Sequence, residues 1–272
     1  MAHALPDLMP SIMPYWVPRG ARNLASSIVK TVAPRIIAGK KIIEGSAPLP
    51  YAIDNVRINY IHADPGVPVG FWRSVVFSQN TFVVESFLDE IAAATGRDPF
   101  DLRDHLLADT PRLRNVLRLA AKKIEWGKKP ADGASRGIAT LDFHDTLLAM
   151  IAEVSITGPG EVKVKRIVCA VDCGVVINPK NVVAQMESGI AFGLTATIKS
   201  RITINKGRIE QSNFDDFPLL AMDEMPRVDV HIVPGNRPPT GIGETAVPLV
   251  APAVDNAVFV ATGQRIRKLP LV

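Results

Sequence analysis

Cysteine is nearly absent from this chain of 272 residues: Cys169 and Cys173 are the only two. Residues 162–171 read as a strand, and positions four apart on a strand lie about 13 Å from each other, too far for a disulfide without a sharp bend. Two thiols cannot hold an iron–sulfur cluster, which normally takes four. No His or Cys partner follows at the spacing of a structural zinc site. Long hydrophobic runs are missing too, and no window reaches the roughly 18 apolar residues of a membrane span. The opening residues, Met1-Ala2-His3-Ala4-Leu5-Pro6-Asp7, lack the basic-then-apolar order of a secretory signal. Charge of one sign is also scarce. Against 31 Lys and Arg stand 27 Asp and Glu, a net charge of +4. The basic residues are scattered rather than striped, which excludes a nucleic-acid footprint.

What is present is enough apolar material for a core. Hydrophobic residues make up 47% and charged residues 21%, which fits one large domain or two smaller ones and excludes a disordered chain. Residues 1–50 carry Pro6, Pro10, Pro14 and Pro18 at even spacing, so no regular helix runs there. Partial helical periodicity follows over 21–38. The whole stretch reads as a connecting or docking segment. From Tyr51 the pattern is orderly. Residues 55–61 alternate like a strand, and a helix is expected over 80–95, with Val83, Phe87 and Ile91 beside Val84 and Leu88 as its apolar stripe and Gly96 as its stop. Asp98-Pro99, Thr110-Pro111 and Asn178-Pro179 each open a helix with a capping residue and proline at the first turn. Strand-like stretches cover 138–156, with an interruption, and 162–171. The Asn178 helix runs to about Thr197. A hairpin over 198–204 and 208–211 turns at Asn205-Lys206-Gly207, a strand covers 227–233, and a last helix runs from about Pro248 to Thr262, closed by Gly263. Hairpins and helices with few β-α-β units predict an α+β architecture.

Two motif matches fail on context. Gly133-Ala134-Ser135-Arg136-Gly137 fits a nucleophile elbow, which needs a strand before the serine; a polar loop precedes it here. Gly241-Ile242-Gly243-Glu244-Thr245-Ala246 fits a dinucleotide fingerprint, which must directly follow a strand. A Pro/Gly loop intervenes, and a carboxylate in the turn would repel a pyrophosphate. Gly189 and Gly193 read as a close helix contact. Three residues resist bland readings. Glu244 follows glycines that let the backbone approach another group and precedes a helix; on pattern alone it is a helix cap. Arg73, between Trp72 and Ser74, needs a partner, either a carboxylate or an anionic ligand. Gln185 stands among Val182, Val183 and Met186, on a turn expected to be largely buried.

At these residues the chain resembles a known family. The stretches are Val67-Pro68-Val69-Gly70-Phe71-Trp72-Arg73-Ser74-Val75 with Glu85-Ser86-Phe87-Leu88-Asp89-Glu90, then Ala170-Val171-Asp172-Cys173-Gly174 with Asn178-Pro179 and Gln185. The last is Gly241-Ile242-Gly243-Glu244 with Ala251-Pro252-Ala253 and the tail from Gly263 to Pro270. Over nearly all of residues 45–272 their order is similar to the molybdopterin-binding large subunit of the xanthine dehydrogenase and aldehyde oxidase superfamily. The branch most similar is that of isoquinoline 1-oxidoreductase beta subunits and molybdenum aldehyde dehydrogenases.

The resemblance implies a cofactor-binding domain over 51–272, partial relative to the family. It implies a molybdenum centre carried by a pterin, with a cytosine dinucleotide as one form of it, that hydroxylates an aldehyde or N-heteroaromatic carbon with water as oxygen source. Glu244 matches the general base, Gln185 a glutamine that hydrogen-bonds an oxo ligand, and Arg73 an arginine near cofactor and substrate. Gly243 belongs to the turn beside the cofactor, and no residue is assigned as a metal ligand. The Asn178 helix start offers backbone N–H groups as a further cofactor contact. The implied partners are an iron–sulfur small subunit, a chain supplying the family's Gly-Gly-Gly-Phe-Gly and Gly-Gln-Gly segments, which are absent here, and a cytochrome c or quinone acceptor.

Two departures stand out. Val76-Phe77 replaces Gly-His, which predicts a narrower, more apolar pocket, and Thr245 replaces proline after the base. The alternative is a truncated, non-catalytic scaffold or interaction domain derived from such an enzyme.

Overall fold

The computed structural model describes residues 43–271 apart from 60, 62–65, 68, 69, 131, 132, 159 and 160, together with 17, 18, 20 and 21. The periodicity expected over 21–38 and the spaced prolines Pro6, Pro10 and Pro14 lie outside the described residues. The elements are α1 (Phe77–Ala94), α2 (Pro99–Leu106), α3 (Pro111–Ile124), β1 (Ser135–Phe143), β2 (Thr146–Gly158), β3 (Glu161–Asp172), α4 (Pro179–Ile198), the short pair β4 (Ile204–Asn205) and β5 (Arg208–Ile209), β6 (Arg227–Ile232) and α5 (Val247–Thr262). This is the α+β mixture read from the sequence.

Local chemistry sets the helix starts. The Asp98 side chain accepts from Phe100 N and Asp101 N at 2.7 and 3.2 Å, and Asn178 does the same for Lys180 N and Asn181 N. The Asn178 side chain thus uses two of the amides expected to face a cofactor. Thr110 does not cap; its hydroxyl donates to Pro50 O at 3.2 Å. Gly96 and Gly263 adopt the left-handed conformation that ends a helix.

The main sheet runs β1-β2-β3-β6. The first three strands are antiparallel, and β6 lies parallel to β3 after the α4 crossover. The expected interruption in 138–156 is a tight turn at His144-Asp145, both with positive φ. Side-chain alternation splits β2 and β3 between two cores. Leu148, Met150, Ala152, Ile167 and Cys169 face α4 and α5, while Leu147, Ala149, Ile151, Val168 and Ala170 face α3. Helix α5 is buried from Val247 through Val258. Its backbone lies directly on β1, where a Cβ on Gly137 would sit 2.2 Å from both Ala253 O and Ala257 N. Gly189 and Gly193 of α4 meet Ala246, just before α5, and Val250 of α5, the close helix contact read from their spacing.

Several expectations are corrected. Residues 55–59 and 61 form no strand. No neighbouring strand among the described residues takes up their amides, and alternation without a partner gives no ladder. The segment 198–203 is not a hairpin arm, because α4 runs through Ile198 and the ladder keeps only two residues on each side. The stripe of α1 is rotated: Leu88 is buried, but Val83 and Phe87 are 64% and 58% exposed. The buried face instead carries Glu85 and Asp89.

An ion-pair network explains that rotation. Arg103, from α2, is 0% exposed. Its Nε donates to Glu85 Oε2 at 2.9 Å and its Nη1 to Asp89 Oδ1 at 2.6 Å. Glu85 also accepts from Tyr51 Oη at 2.6 Å and Thr140 N at 2.9 Å. Burial pushes the Glu85 and Asp89 carboxyls up, and the Arg103 charge opposes it. Burial works against the Arg103 charge, yet Asp89 and Glu85 hold its pKa above the usual arginine value.

Removing the guanidinium leaves two buried carboxylates without their counter-charge. Arg103→Met should therefore lower the unfolding free energy by about 3–5 kcal/mol in a denaturant titration; a loss under ~1 kcal/mol contradicts this account. Both cysteines are free and buried, and burial pushes the Cys169 thiol up to about 12. The folded protein should resist thiol reagents at pH 8, with both thiols reacting only in denaturant; fast labelling of Cys169 in the native state contradicts its placement.

Candidate active site

The turn before α5 is fixed from three directions. Thr240 N donates to Cys173 O at 3.0 Å, tying the turn to the end of β3. The Thr146 hydroxyl, at the start of β2, meets Thr240 Oγ1 at 2.6 Å and donates to Gly241 O at 2.7 Å. From the segment before α1, Arg73 Nε donates to Gly243 O at 2.9 Å, and Nη2 donates to the same oxygen. Ser74 then takes hold of Glu244 itself: its N–H donates to Glu244 Oε2 at 2.8 Å and its hydroxyl to Glu244 O at 2.6 Å.

These bonds fix how Glu244 is used. The residue before α5, Ala246, has no side-chain cap, and the Glu244 carboxylate reaches across the chain to Ser74 instead. The capping reading is therefore wrong. One carboxylate oxygen is anchored, and the described residues offer the other, Oε1, no donor. The donor loop is itself strained. Ser74 and Val75 have φ of 75° and 46°, a conformation that a β-branched residue rarely adopts and that is found mainly where surrounding contacts enforce it.

Arg73, Gly243 and Gln185 come together with Glu244. Besides Gly243 O, Arg73 donates through Nη1 to Ser188 Oγ at 3.1 Å and through Nη2 to Gln185 Oε1 at 3.4 Å. Among the described residues, no carboxylate lies within ion-pair distance of Arg73. The structural carboxylate considered for it is not there, and its partners are neutral oxygens. The turn around Gln185 is not largely buried as expected: Val182 and Met186 are buried, but Val183 is only half-buried and Ala184 and Gln185 are exposed, because this face of α4 points away from the core. With its oxygen facing Arg73, its amide nitrogen is left to donate elsewhere.

A cavity of about 530 Å³ adjoins this cluster, lined by Arg73, Phe143, His144, Gly243, Glu244 and Thr245, among others. Val76 and Phe77 do not line it. Both are buried, Phe77 in the core against Phe143 with ring centroids 4.2 Å apart, so the expected narrowing by these two residues is corrected: the apolar lining comes from the β1–β2 turn. Thr245, in the place of the family's proline, is 1% exposed, and its hydroxyl has no hydrogen-bond partner. A second cavity of about 520 Å³ lies by Asp98, Glu125, Trp126 and Lys128. There Trp126 Nε1 donates to Asp98 and Lys128 Nζ to Glu125.

Sequence reading missed Ser74, His144, Thr146 and Ser188. Ser188 alone had a legible signal, since it lies three residues after Gln185 on one helix face. Ser135 opens strand β1 rather than joining a strand to a helix, so the elbow match is void. The 241–246 match follows a loop rather than β6.

Glu244, Arg73 and Thr245, whose hydroxyl is orphaned, line one cavity, and Gln185 joins them through Arg73. Among the described residues, no group of three His, Cys, Asp or Glu could hold a metal ion. Within this cluster the Arg73 guanidinium, whose hydrogen-bond partners are neutral oxygens, is the group that fits an anionic ligand. The profile described as "Molybdopterin cofactor-binding domain" matches residues 115–226, a stretch that includes Gln185 but not Arg73 or Glu244. The chain is 33% identical over 225 residues to the isoquinoline 1-oxidoreductase beta chain of Brevundimonas diminuta, covering 81% of this chain and 29% of that one. It is 30% identical over 241 residues to a nicotinate dehydrogenase chain of Pseudomonas putida, covering 82% and 20%. In fold it is similar to quinoline 2-oxidoreductase from Pseudomonas putida, with a TM-score of 0.68 at 12% identity over 75% of this chain and 52% of that one. The chain belongs to the xanthine dehydrogenase and aldehyde oxidase superfamily of molybdopterin-binding proteins. It spans under a third of the length of these two curated relatives. No helix among the described residues is long and apolar enough to cross a membrane.

The anchoring of the turn is open to direct test. Thr146→Val leaves Gly241 O and the Thr240 hydroxyl without their buried partner. It should cost about 1–3 kcal/mol of stability in denaturant unfolding; an unchanged midpoint would show that Thr146 does not hold the turn.

Proposed function

We propose that this chain is the part of a molybdenum hydroxylase that carries the general base, and that the complete enzyme oxidises an aldehyde or N-heteroaromatic carbon with water as oxygen source. The observation that supports this most is the Glu244 carboxylate, fixed through one oxygen and open at the other, beside Arg73 and Gln185. When bound, the molybdenum–pterin group supplies the water-derived oxygen and takes up the electron pair.

The chain's own residues do the rest. Glu244 Oε1 takes a proton, while Ser74 N–H holds Oε2 and keeps the carboxylate from rotating away. Arg73 carries an unneutralised positive charge suited to the phosphate or oxo groups of the carrier. Gln185, its oxygen held by Arg73, donates from its amide nitrogen. Gly243 gives its carbonyl to Arg73 and adds no side chain to the cavity. The cofactor form we propose is the pterin with or without a cytosine dinucleotide. The proposed partners are an iron–sulfur subunit, a polypeptide carrying the glycine-rich cofactor segments, and a cytochrome c or quinone acceptor.

Glu244→Gln keeps the shape and removes the basic oxygen. In the assembled enzyme it should lower kcat by about 10²–10⁴-fold while the molybdenum content, measured by elemental analysis, stays unchanged. Turnover equal to the parent's would overturn the assignment and favour the scaffold reading.

A further inference from the structure

One stretch has the sequence of a strand and no strand beside it. In residues 54–59 the β-branched Val56 and Ile58 alternate with Asn55, Arg57 and Asn59, a pattern that favours a pleated conformation with one apolar face. Every residue from 52 to 59 is exposed, Val56 at 49% and Ile58 at 37%. Among the described residues, no backbone N–H or C=O of 54–59 has a hydrogen-bond partner. The one bond within the segment is local, from Arg57 Nε to Asn59 Oδ1 at 3.2 Å. Neither edge of the main sheet, β1 or β6, takes it up. A row of unpaired backbone groups with apolar side chains at alternate positions is a template for strand pairing.

The segment is held at its root. Tyr51 is buried, and its hydroxyl meets Glu85 Oε1 and Thr140 Oγ1, both at 2.6 Å. Ala52 N donates to Leu106 O at 2.7 Å, just past the end of α2. These bonds tie the start of the segment to α1, β1 and α2. In the other direction the chain continues to Arg73 and Ser74, so whatever pairs with 54–59 docks on the segment that leads into the Glu244 site.

Charge and length together indicate the occupant. A second copy of the chain is a poor match. The antiparallel register that sets Val56 against Ile58 also sets Arg57 against Arg57, and like charges directly opposite are destabilising. Setting Asp54 against Arg57 relieves that clash but places Val56 against Asn55, which breaks the apolar face. Meanwhile the matched stretches make up only 29% and 20% of the two curated relatives, so most of their length has no counterpart here.

We propose that residues 54–59 are an open strand to which the polypeptide carrying the glycine-rich cofactor segments adds a strand of its own. That strand sets apolar side chains beside Val56 and Ile58 and a neutral or acidic residue opposite Arg57. The proposal rests on reading this chain as one part of a molybdenum hydroxylase. Main-chain bonds supply the affinity, and the alternation of side chains sets the register. The ladder runs about 20 Å.

The test is residue-resolved amide hydrogen exchange on the full chain, alone and co-purified with the polypeptide that carries the Gly-Gly-Gly-Phe-Gly and Gly-Gln-Gly segments. In the chain alone, the amides of 54–59 should exchange freely. A single added strand bonds only alternate N–H groups. In the complex, either Asp54, Val56 and Ile58 or Asn55, Arg57 and Asn59 should therefore slow by at least about tenfold. The double variant Val56→Asp, Ile58→Asp should weaken binding at least about tenfold. It should leave the unfolding midpoint of the free chain unchanged, because both side chains are exposed. Unchanged affinity in that variant, or a complex whose 54–59 amides stay unprotected, overturns the docking site while the reading of the chain as part of the enzyme stands. Absence of any complex overturns both. Protection already present in the chain alone also overturns the proposal. If it grows with concentration a second copy occupies the strand, and if it does not, another segment of this chain does.

Discussion

The guanidinium of Arg103 is withdrawn from water and shared between Glu85 and Asp89, and most of the architecture is built around that exchange of charge. Glu85 is reached by Tyr51 from the segment before α1, by Thr140 from β1, and, through its backbone oxygen, by Asn256 from α5 at 3.3 Å. One residue of α1 therefore joins that helix to α2, to the segment of Tyr51, to β1 and to α5. The adjacent part of the network ends in Arg265, which bonds Asp255 and Asn256 at 2.6 and 2.7 Å. Taking such groups out of water is expensive and gains little net stability over an apolar core. What it supplies is a fixed orientation for α1, and α1 follows directly from the turn that carries Arg73 and Ser74.

That orientation bears on the chemistry. Ser74 and Val75 sit in backbone conformations that few residues favour, and the helix that follows keeps them there. In return, a single N–H is aimed at one oxygen of Glu244, while the hydroxyl of the same residue clasps the Glu244 carbonyl. The Glu244 carboxylate is thus positioned by a neighbour that contributes no charge of its own.

The frame of the fold was open to sequence reading wherever backbone chemistry dictates a boundary. Pro99, Pro111 and Pro179 mark first helical turns because a missing N–H costs nothing there, and Gly263 marks an end because a left-handed residue is needed there. The alternation in β2 and β3 was legible for the same reason. Charged residues at Glu85 and Asp89 look like a solvent-facing stripe until Arg103 is known to meet them, so the face of α1 was read wrongly. Residues 55–61 alternate well, but pairing is a property of two strands and not of one. At the site, the family resemblance drew attention to Arg73, Gln185, Gly243 and Glu244, and the fold gathers them. Ser74 escaped notice because a non-glycine residue at positive φ leaves no mark in a sequence. His144 did so because a turn histidine ordinarily faces water.

Gly137 has a consequence that reaches past packing. With no side chain between them, β1 and α5 touch backbone to backbone, so their separation is set by the radii of backbone atoms rather than by how well neighbouring residues fill space. The Glu244 turn sits at the leading end of α5. Substitutions elsewhere in the two cores can drift in volume while the helix keeps its seat on the sheet. The contact serves as a mechanical datum, the fixed surface from which the position of Glu244 is measured.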